Sequence, residues 1–187
     1  MTELLVRMQR ALPHVRSWID ELHAKHSDHA TAAHTLGFVK VARWFPESLL
    51  QDARAVAVDE VPFPPVSAYG LPEFETMASM NMAGITFGRM YFVRQSCFIE
   101  SVHFHELVHV VQWQTLGVDE FLLTYALGVA RHGYAQSPLE AIAYELQSRF
   151  ERDETPGEVI DRVASHARRA RDAAAEVFGR SGLTMGA

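Results

Sequence analysis

The sequence predicts an α+β fold that is mostly helical, with a small β-sheet ahead of residue 98 and a helical C-terminal half. Three observations support this prediction. Apolar residues recur at helical spacing near the N-terminus, alternating and β-branched segments occupy the middle of the chain, and glycine and proline separate long helical patterns after residue 98. The chain has 187 residues, which is enough for one core, so we expect a single domain.

The N-terminal part, residues 1–50, is expected to be helical. Residues 3–25 carry apolar side chains at helical spacing, and this pattern is interrupted only by Pro13. Residues 36–50 predict a second, short helix that is limited by Pro46.

A small sheet is expected within residues 53–95. Residues 53–61 alternate as a strand does, and the sequence PFPP ends the pattern, whereas residues 66–82 show no regular pattern. Residues 84–93 are rich in β-branched and aromatic side chains and are predicted as one strand. An extended peptide could add to a free edge of this strand through backbone hydrogen bonds.

Four successive helices are predicted within residues 98–187. They are expected to cover residues 98–115, residues 119–131, a segment that begins at Ser137 and Pro138, and residues 155–178. Serine is a common N-cap, and proline suits the first helical position.

The first of these helices contains the sequence His105-Glu106-Leu107-Val108-His109. Residues four apart lie on the same face of a helix, so both imidazoles can bind one metal ion, while Glu106 can act on a water as general base. This HExxH pattern predicts a Zn²⁺ site. The alternative is two core histidines that bind carbonyl groups, with Glu106 in a salt bridge. Burial of all three groups without a compensating charge is costly, which favours the ion.

A catalytic zinc site takes a third protein ligand, and Glu140 is the best candidate. It lies in the first turn of the third predicted helix. Its alternative role is the second half of a capping box with Ser137. Asp119 and Glu120 are further candidates, although acidic residues are favoured at the start of any helix.

These two segments together resemble a known family. The sequence HELVHVVQ at 105–112, followed by PLEAIAY at 138–144, is similar to gluzincin zinc metallopeptidases, in particular the small bacterial HExxH/ExxA proteins. The resemblance covers residues 84–150. It implies a zincin-like fold in which a short sheet precedes the zinc helix.

The resemblance also implies roles for individual residues. The implied zinc ligands are His105, His109 and Glu140, and the implied general base is Glu106. Thermolysin-type members place an aspartate four residues after the glutamate ligand to orient a histidine, whereas this chain has Tyr144 there. Three other side chains are candidates for orienting the imidazoles: Glu100, Gln112 and Glu145.

The function predicted from these residues is a zinc-dependent metallopeptidase that acts on a peptide or protein substrate. Tyr134 and His132 precede the Glu140 helix and are candidates to stabilise the oxyanion. Two other classes stay open. One is a metal-binding regulatory module or a non-peptidase hydrolase that retains the zinc site, and the other is a purely structural helical protein.

Composition and charge restrict the expected partners. A net charge of −6 argues against a nucleic-acid partner, and a single cysteine, Cys97, excludes an intrachain disulfide and fits a reducing compartment. The longest apolar stretch is too short to span a membrane, and the N-terminus lacks the apolar region of a secretory signal. We therefore expect a cytoplasmic protein without membrane or nucleic-acid partners, and the oligomeric state stays open.

Overall fold

Helices and a small sheet make up residues 1–185, the part of the chain that the computed structural model describes. The helices are α1 (Thr2–His26), α2 (Glu47–Asp52), α3 (Glu75–Ala78), α4 (Glu100–Leu116), α5 (Val118–His132), α6 (Pro138–Glu151) and α7 (Val159–Arg180). The strands are β1 (Thr31–Ala32), β2 (Arg54–Val58), β3 (Gly84–Phe87) and β4 (Met90–Arg94). The predicted α+β class, mostly helical, is confirmed. None of the described helices is long and apolar enough to cross a membrane.

The four strands form one mixed sheet in the order β1-β2-β4-β3. The central pair β2 and β4 is parallel, with Val56 opposite Phe92, and both outer pairs are antiparallel. Aromatic and β-branched side chains of β4 are fully buried, because this strand lies between two others beneath the helices. The sheet therefore precedes the HExxH helix, as predicted.

Two predictions about the strands need correction. Residues 84–93 are not one strand but a hairpin, because the chain reverses at Gly88, whose φ of 63° is in the left-handed region that glycine tolerates best. The strand predicted at 53–61 ends at Val58, and the sequence pattern did not indicate the two-residue strand β1.

The proline-containing N-terminal segments also differ in part from expectation. Pro13 does not interrupt α1, which is one continuous helix. The short helix predicted at 36–50 and limited by Pro46 is wrong, because α2 begins immediately after Pro46. Proline lacks an N–H and therefore suits the start of a helix better than its end.

Helix α4 is the central element of the core. Side chains are buried on every side of this helix, which packs against α6, α7 and the sheet. Phe104, for example, stacks on Phe150 of α6 with ring centroids 4.4 Å apart. Five buried residues of this helix are polar: His103, His105, Glu106, His109 and Gln112. Buried polar groups need partners: His103 is bonded to the hydroxyl of Tyr91, and the other four residues lie at the candidate site.

Candidate metal centre

Three side chains predicted as metal ligands meet in the interior. His105 and His109 lie one turn apart on α4, and Glu140 reaches them from the first turn of α6. The two Nε2 atoms are 3.1 Å apart. Oε2 of Glu140 lies 3.3 Å from Nε2 of His105, and Oε1 lies 3.5 Å from Nε2 of His109. All three side chains are buried, and their ligand atoms lie close enough together to hold one metal ion.

Two glutamines fix which nitrogen of each imidazole carries the proton. Oε1 of Gln112 lies 2.8 Å from Nδ1 of His109, and the amide nitrogen of this glutamine donates to the Leu139 carbonyl. Oε1 of Gln147 lies 3.0 Å from Nδ1 of His105. Because amide oxygens only accept, each Nδ1 is the protonated donor. Both Nε2 atoms then direct lone pairs toward the same point.

This arrangement fits a divalent cation. Nε2 of His105, Nε2 of His109 and the Glu140 carboxylate face one another, and Oε2 of Glu140 is buried without a hydrogen-bond partner. Such a set of acceptors is unfavourable unless a positive charge lies among them. Two histidines and one glutamate are also a ligand set of catalytic zinc sites, and Nδ1 bonded to a fixed oxygen is typical of metal-bound imidazole.

The charges at the site also favour a cation among these three side chains. Burial opposes a charge on His109, but the Glu140 carboxylate outweighs it and raises the pKa of His109 to about 9. Burial also opposes ionisation of Glu140, yet the two imidazoles hold the pKa of this carboxyl well below its usual range. Without a metal ion the site therefore retains a proton, because the Glu140 carboxylate needs a positive charge beside it.

Glu106 lies beside the ligands in a separate environment. Its carboxylate is buried, and burial raises the pKa of this group. The hydroxyl of Thr86 on β3 donates to Oε2 of Glu106 at 2.7 Å. The close approach of β3 to the Glu106 carboxylate depends on Gly84, because a Cβ at that position would lie 2.6 Å from Oε1 of Glu106. A carboxylate with a raised pKa, held by one donor, has the properties of a general base.

Further aromatic residues surround the ligands. Tyr125 of α5 donates its hydroxyl to Oε1 of Glu140 at 2.6 Å, and the ring of Tyr144 lies 4.7 Å from that of His105. The sequence did not indicate the role of Tyr125, because nothing local connects α5 with Glu140. Gln147 was also missed, although it lies seven residues after Glu140 and therefore on the same face of α6.

The structure separates the alternatives that the sequence left open. Ser137 precedes α6 but makes no side-chain cap, and Glu140 points into the site, so the capping box does not form. Asp119 and Glu120 are paired with Arg16 and Arg171 instead.

Among the three proposed orienting residues, only Gln112 contacts one of the two histidines, at Nδ1 of His109. Glu145 is paired with Arg162. Glu100 accepts the backbone N–H of Val41, far along α4 from the ligands.

Two cavities meet at Glu106. The first, which we call the apolar cavity, has a volume of about 130 Å³ and lies between α1, residues 63–77 and α5. The second, the open cavity, has a volume of about 330 Å³ and lies between residues 80–84, α4 and α6. Tyr134, one of the two predicted oxyanion donors, lines both. The other, His132, is exposed at the end of α5 and lines neither cavity.

Strand β3 lies at the edge of the sheet, as the addition of a peptide strand requires, whereas β4 is paired on both sides. The backbone N–H of Arg94 donates to the Ala83 carbonyl. Because hydrogen-bonded positions alternate along an antiparallel pair, the backbone N–H and C=O groups of Gly84 and Thr86 point away from β4. The Thr86 carbonyl already accepts a hydrogen bond from the indole of Trp113 at 3.2 Å. The expectation of an edge along residues 84–93 is therefore corrected to an edge at β3 alone, where the Thr86 carbonyl already has one partner.

Comparisons with known proteins gave no match. No protein-family model, no curated protein and no solved structure matches this chain. The similarity to gluzincins stays a prediction from the two motifs.

Proposed function

We propose that the protein is a zinc-dependent metallopeptidase of the gluzincin type, with a zincin-like arrangement of sheet and zinc helix. The observation that supports this proposal is the convergence of Nε2 of His105, Nε2 of His109 and the Glu140 carboxylate beside the buried carboxylate of Glu106. A structural role alone does not require three facing acceptors in the interior of the protein.

Zinc suits these ligands better than magnesium or calcium, because imidazole nitrogen is a preferred zinc donor whereas both other ions select oxygen. The bound ion would supply a Lewis acid for a carbonyl oxygen and make a water molecule more acidic. The ligands would be His105, His109 and Glu140.

Glu106 is the proposed proton carrier of the reaction. Its carboxylate takes a proton from the attacking water and delivers it to the leaving amine. The hydrogen bond from Thr86 fixes the orientation of the carboxylate, and its raised pKa makes the proton transfer in both directions easier.

Tyr134 is the proposed donor to the developing oxyanion. Burial is the main cause of the raised pKa of its phenol, so the hydroxyl keeps its proton and can donate it in a hydrogen bond. Its position on the wall of both cavities, like that of Glu106, supports this role.

The test is the variant Glu106→Gln, assayed with a peptide library on zinc-loaded protein. We expect hydrolysis to fall at least about a hundredfold, because an amide cannot accept the proton, while zinc remains bound at one ion per chain. Glu145→Gln is the matched control, because Glu145 lies on the surface of α6 in an ion pair with Arg162. Activity retained in Glu106→Gln would refute the role of Glu106. Absence of peptide cleavage by the zinc-loaded parent would refute the peptidase proposal.

A further inference from the structure

The apolar cavity has its polar groups at one end only. Those groups belong to the metal centre and its surroundings, and they include Glu106, His109 and Glu140. The opposite wall is formed by apolar side chains of α1 and residues 63–77, such as Leu12, Phe63 and Met77. A peptide backbone in this cavity would bury N–H and C=O groups against a wall of apolar side chains, which is costly. A hydrocarbon has no such cost.

The edge of the sheet gives an independent argument. An extended peptide bound beside β3 would share the outward carbonyl of Thr86 with the indole of Trp113, which already donates a hydrogen bond to it. The Trp113 side chain also lies against this edge and lines the apolar cavity. A peptide strand added at Thr86 would therefore compete with Trp113 for this carbonyl, whereas a hydrocarbon would not.

The size of the apolar cavity restricts the length of the hydrocarbon. An engineered protein cavity of about 150 Å³ binds benzene, so a cavity of about 130 Å³ has room for a hydrocarbon group of about six carbons. The lining residues of α1 extend from Met8 to Val15, which is about 10 Å along a helix. An extended chain advances about 1.2 Å per bond, so about eight carbons span this distance.

From these observations we propose that the apolar cavity binds a medium-length acyl chain, and that the substrate is an N-acyl amide with a polar amine component. The proposal rests on the zinc-dependent amide hydrolysis proposed above, and it assigns an N-acyl amide as the preferred substrate over an unacylated peptide. The acyl chain enters the apolar cavity, the amide lies beside Glu106, and the polar amine component occupies the open cavity. Water adds to the amide carbonyl and the C–N bond breaks, which yields a carboxylic acid and an amine. The methionines of the wall adapt readily to a flexible chain.

The first experiment compares chain lengths on zinc-loaded protein. We expect kcat/KM for N-octanoylglycine to exceed that for N-acetylglycine at least about a hundredfold, since each buried methylene contributes about fourfold. Equal values for the two amides would overturn the proposal. So would an unacylated peptide that is cleaved as efficiently as N-octanoylglycine, because that result would assign the site to peptides.

The second experiment tests the cavity without zinc or catalysis. Octan-1-ol binding to metal-free protein is measured by calorimetry for the parent and for Ala126→Phe, which places a ring in the apolar cavity. We expect at least about tenfold weaker binding in this variant, because the ring occupies space needed by the chain. Ala130→Phe is the matched control, since Ala130 is exposed one turn further along the same helix. It should bind octan-1-ol as the parent does.

A second substitution guards against a folding defect in Ala126→Phe. Leu12→Trp fills the cavity from the side of α1, and it should weaken binding of octan-1-ol in the same way. Unchanged binding in both cavity variants, or no binding to the parent, would overturn the proposal. If octan-1-ol binds as expected but no amide is hydrolysed, the cavity assignment stands and the proposed hydrolase activity fails.

Discussion

At the residue scale, the notable feature of the site is that two amides orient the histidine ligands. Gln112 and Gln147 accept the Nδ1 protons of His109 and His105 without adding negative charge. The carboxylates nearest the proposed ion are then Glu140, which would bind it, and Glu106, which is the proposed base. We infer that the amides leave the bound ion a stronger Lewis acid than two further carboxylates would.

Protons and zinc compete for His109, and this competition predicts a pH dependence. Because the Glu140 carboxylate raises the pKa of His109 to about 9, His109 in the metal-free protein is protonated below that pH and zinc must displace the proton. We expect the apparent zinc affinity to rise about tenfold per pH unit between about pH 6 and pH 8. Zinc titrations by calorimetry in buffers of different ionisation enthalpy would also report the released proton.

The variant Glu140→Gln is the control for this prediction. It removes the carboxylate that holds the proton on His109, so both zinc affinity and its dependence on pH should decrease. An affinity that is constant between about pH 6 and pH 8 would contradict the protonation state inferred for His109.

Most of the ligand geometry at this scale could be predicted from local spacing. His105 and His109 are four residues apart on one helix, and their common face follows from helical geometry. Gln112 is within reach for the same reason. Tyr125 could not be predicted, because its contact with Glu140 depends on how α5 packs against α6. The exposed position of His132 likewise depends on where α5 ends.

At the element scale, the distance between α4 and the sheet determines the position of Glu106, the proposed general base. Strand β3 approaches α4 closely enough that Thr86 binds Glu106, and it can do so because residue 84 has no side chain. The prediction of one strand at 84–93 missed this arrangement. The hairpin turns at Gly88, and only its first strand lies beside Glu106.

Gly84→Ala tests this approach. The added Cβ would lie 2.6 Å from Oε1 of Glu106 and 2.9 Å from the backbone carbonyl of Phe92, so the strand or the carboxylate must shift. We expect hydrolysis to fall while zinc binding is retained, and we expect unfolding to become easier by about 1–3 kcal/mol. Activity assays, zinc titration and urea unfolding measure the three effects.

A second glycine provides the comparison for that variant. An added Cβ at Gly157 would meet no atom within 4 Å, so Gly157→Ala should leave activity and zinc binding unchanged. Full activity in Gly84→Ala would show that Glu106 does not depend on the close approach of β3.

At the scale of the whole molecule, the site combines parts of the chain that are far apart in sequence. α4 and α6 supply the ligands, the sheet orients Glu106, and α1 with residues 63–77 closes the apolar cavity. The helical C-terminal half and the position of the sheet were predictable from patterns of apolar residues. Residues 63–77 have no such pattern, so their role as a cavity wall could not be predicted and emerges only from packing.

The account depends on one metal ion held by α4 and α6. A crystal structure of the zinc-loaded protein, with anomalous data at the zinc edge, tests this most directly. We expect one peak per chain, about 2.0–2.2 Å from Nε2 of His105, Nε2 of His109 and a carboxylate oxygen of Glu140. An empty site at zinc saturation, or a peak bound by other residues while these three side chains stay uncoordinated, would contradict the proposed function.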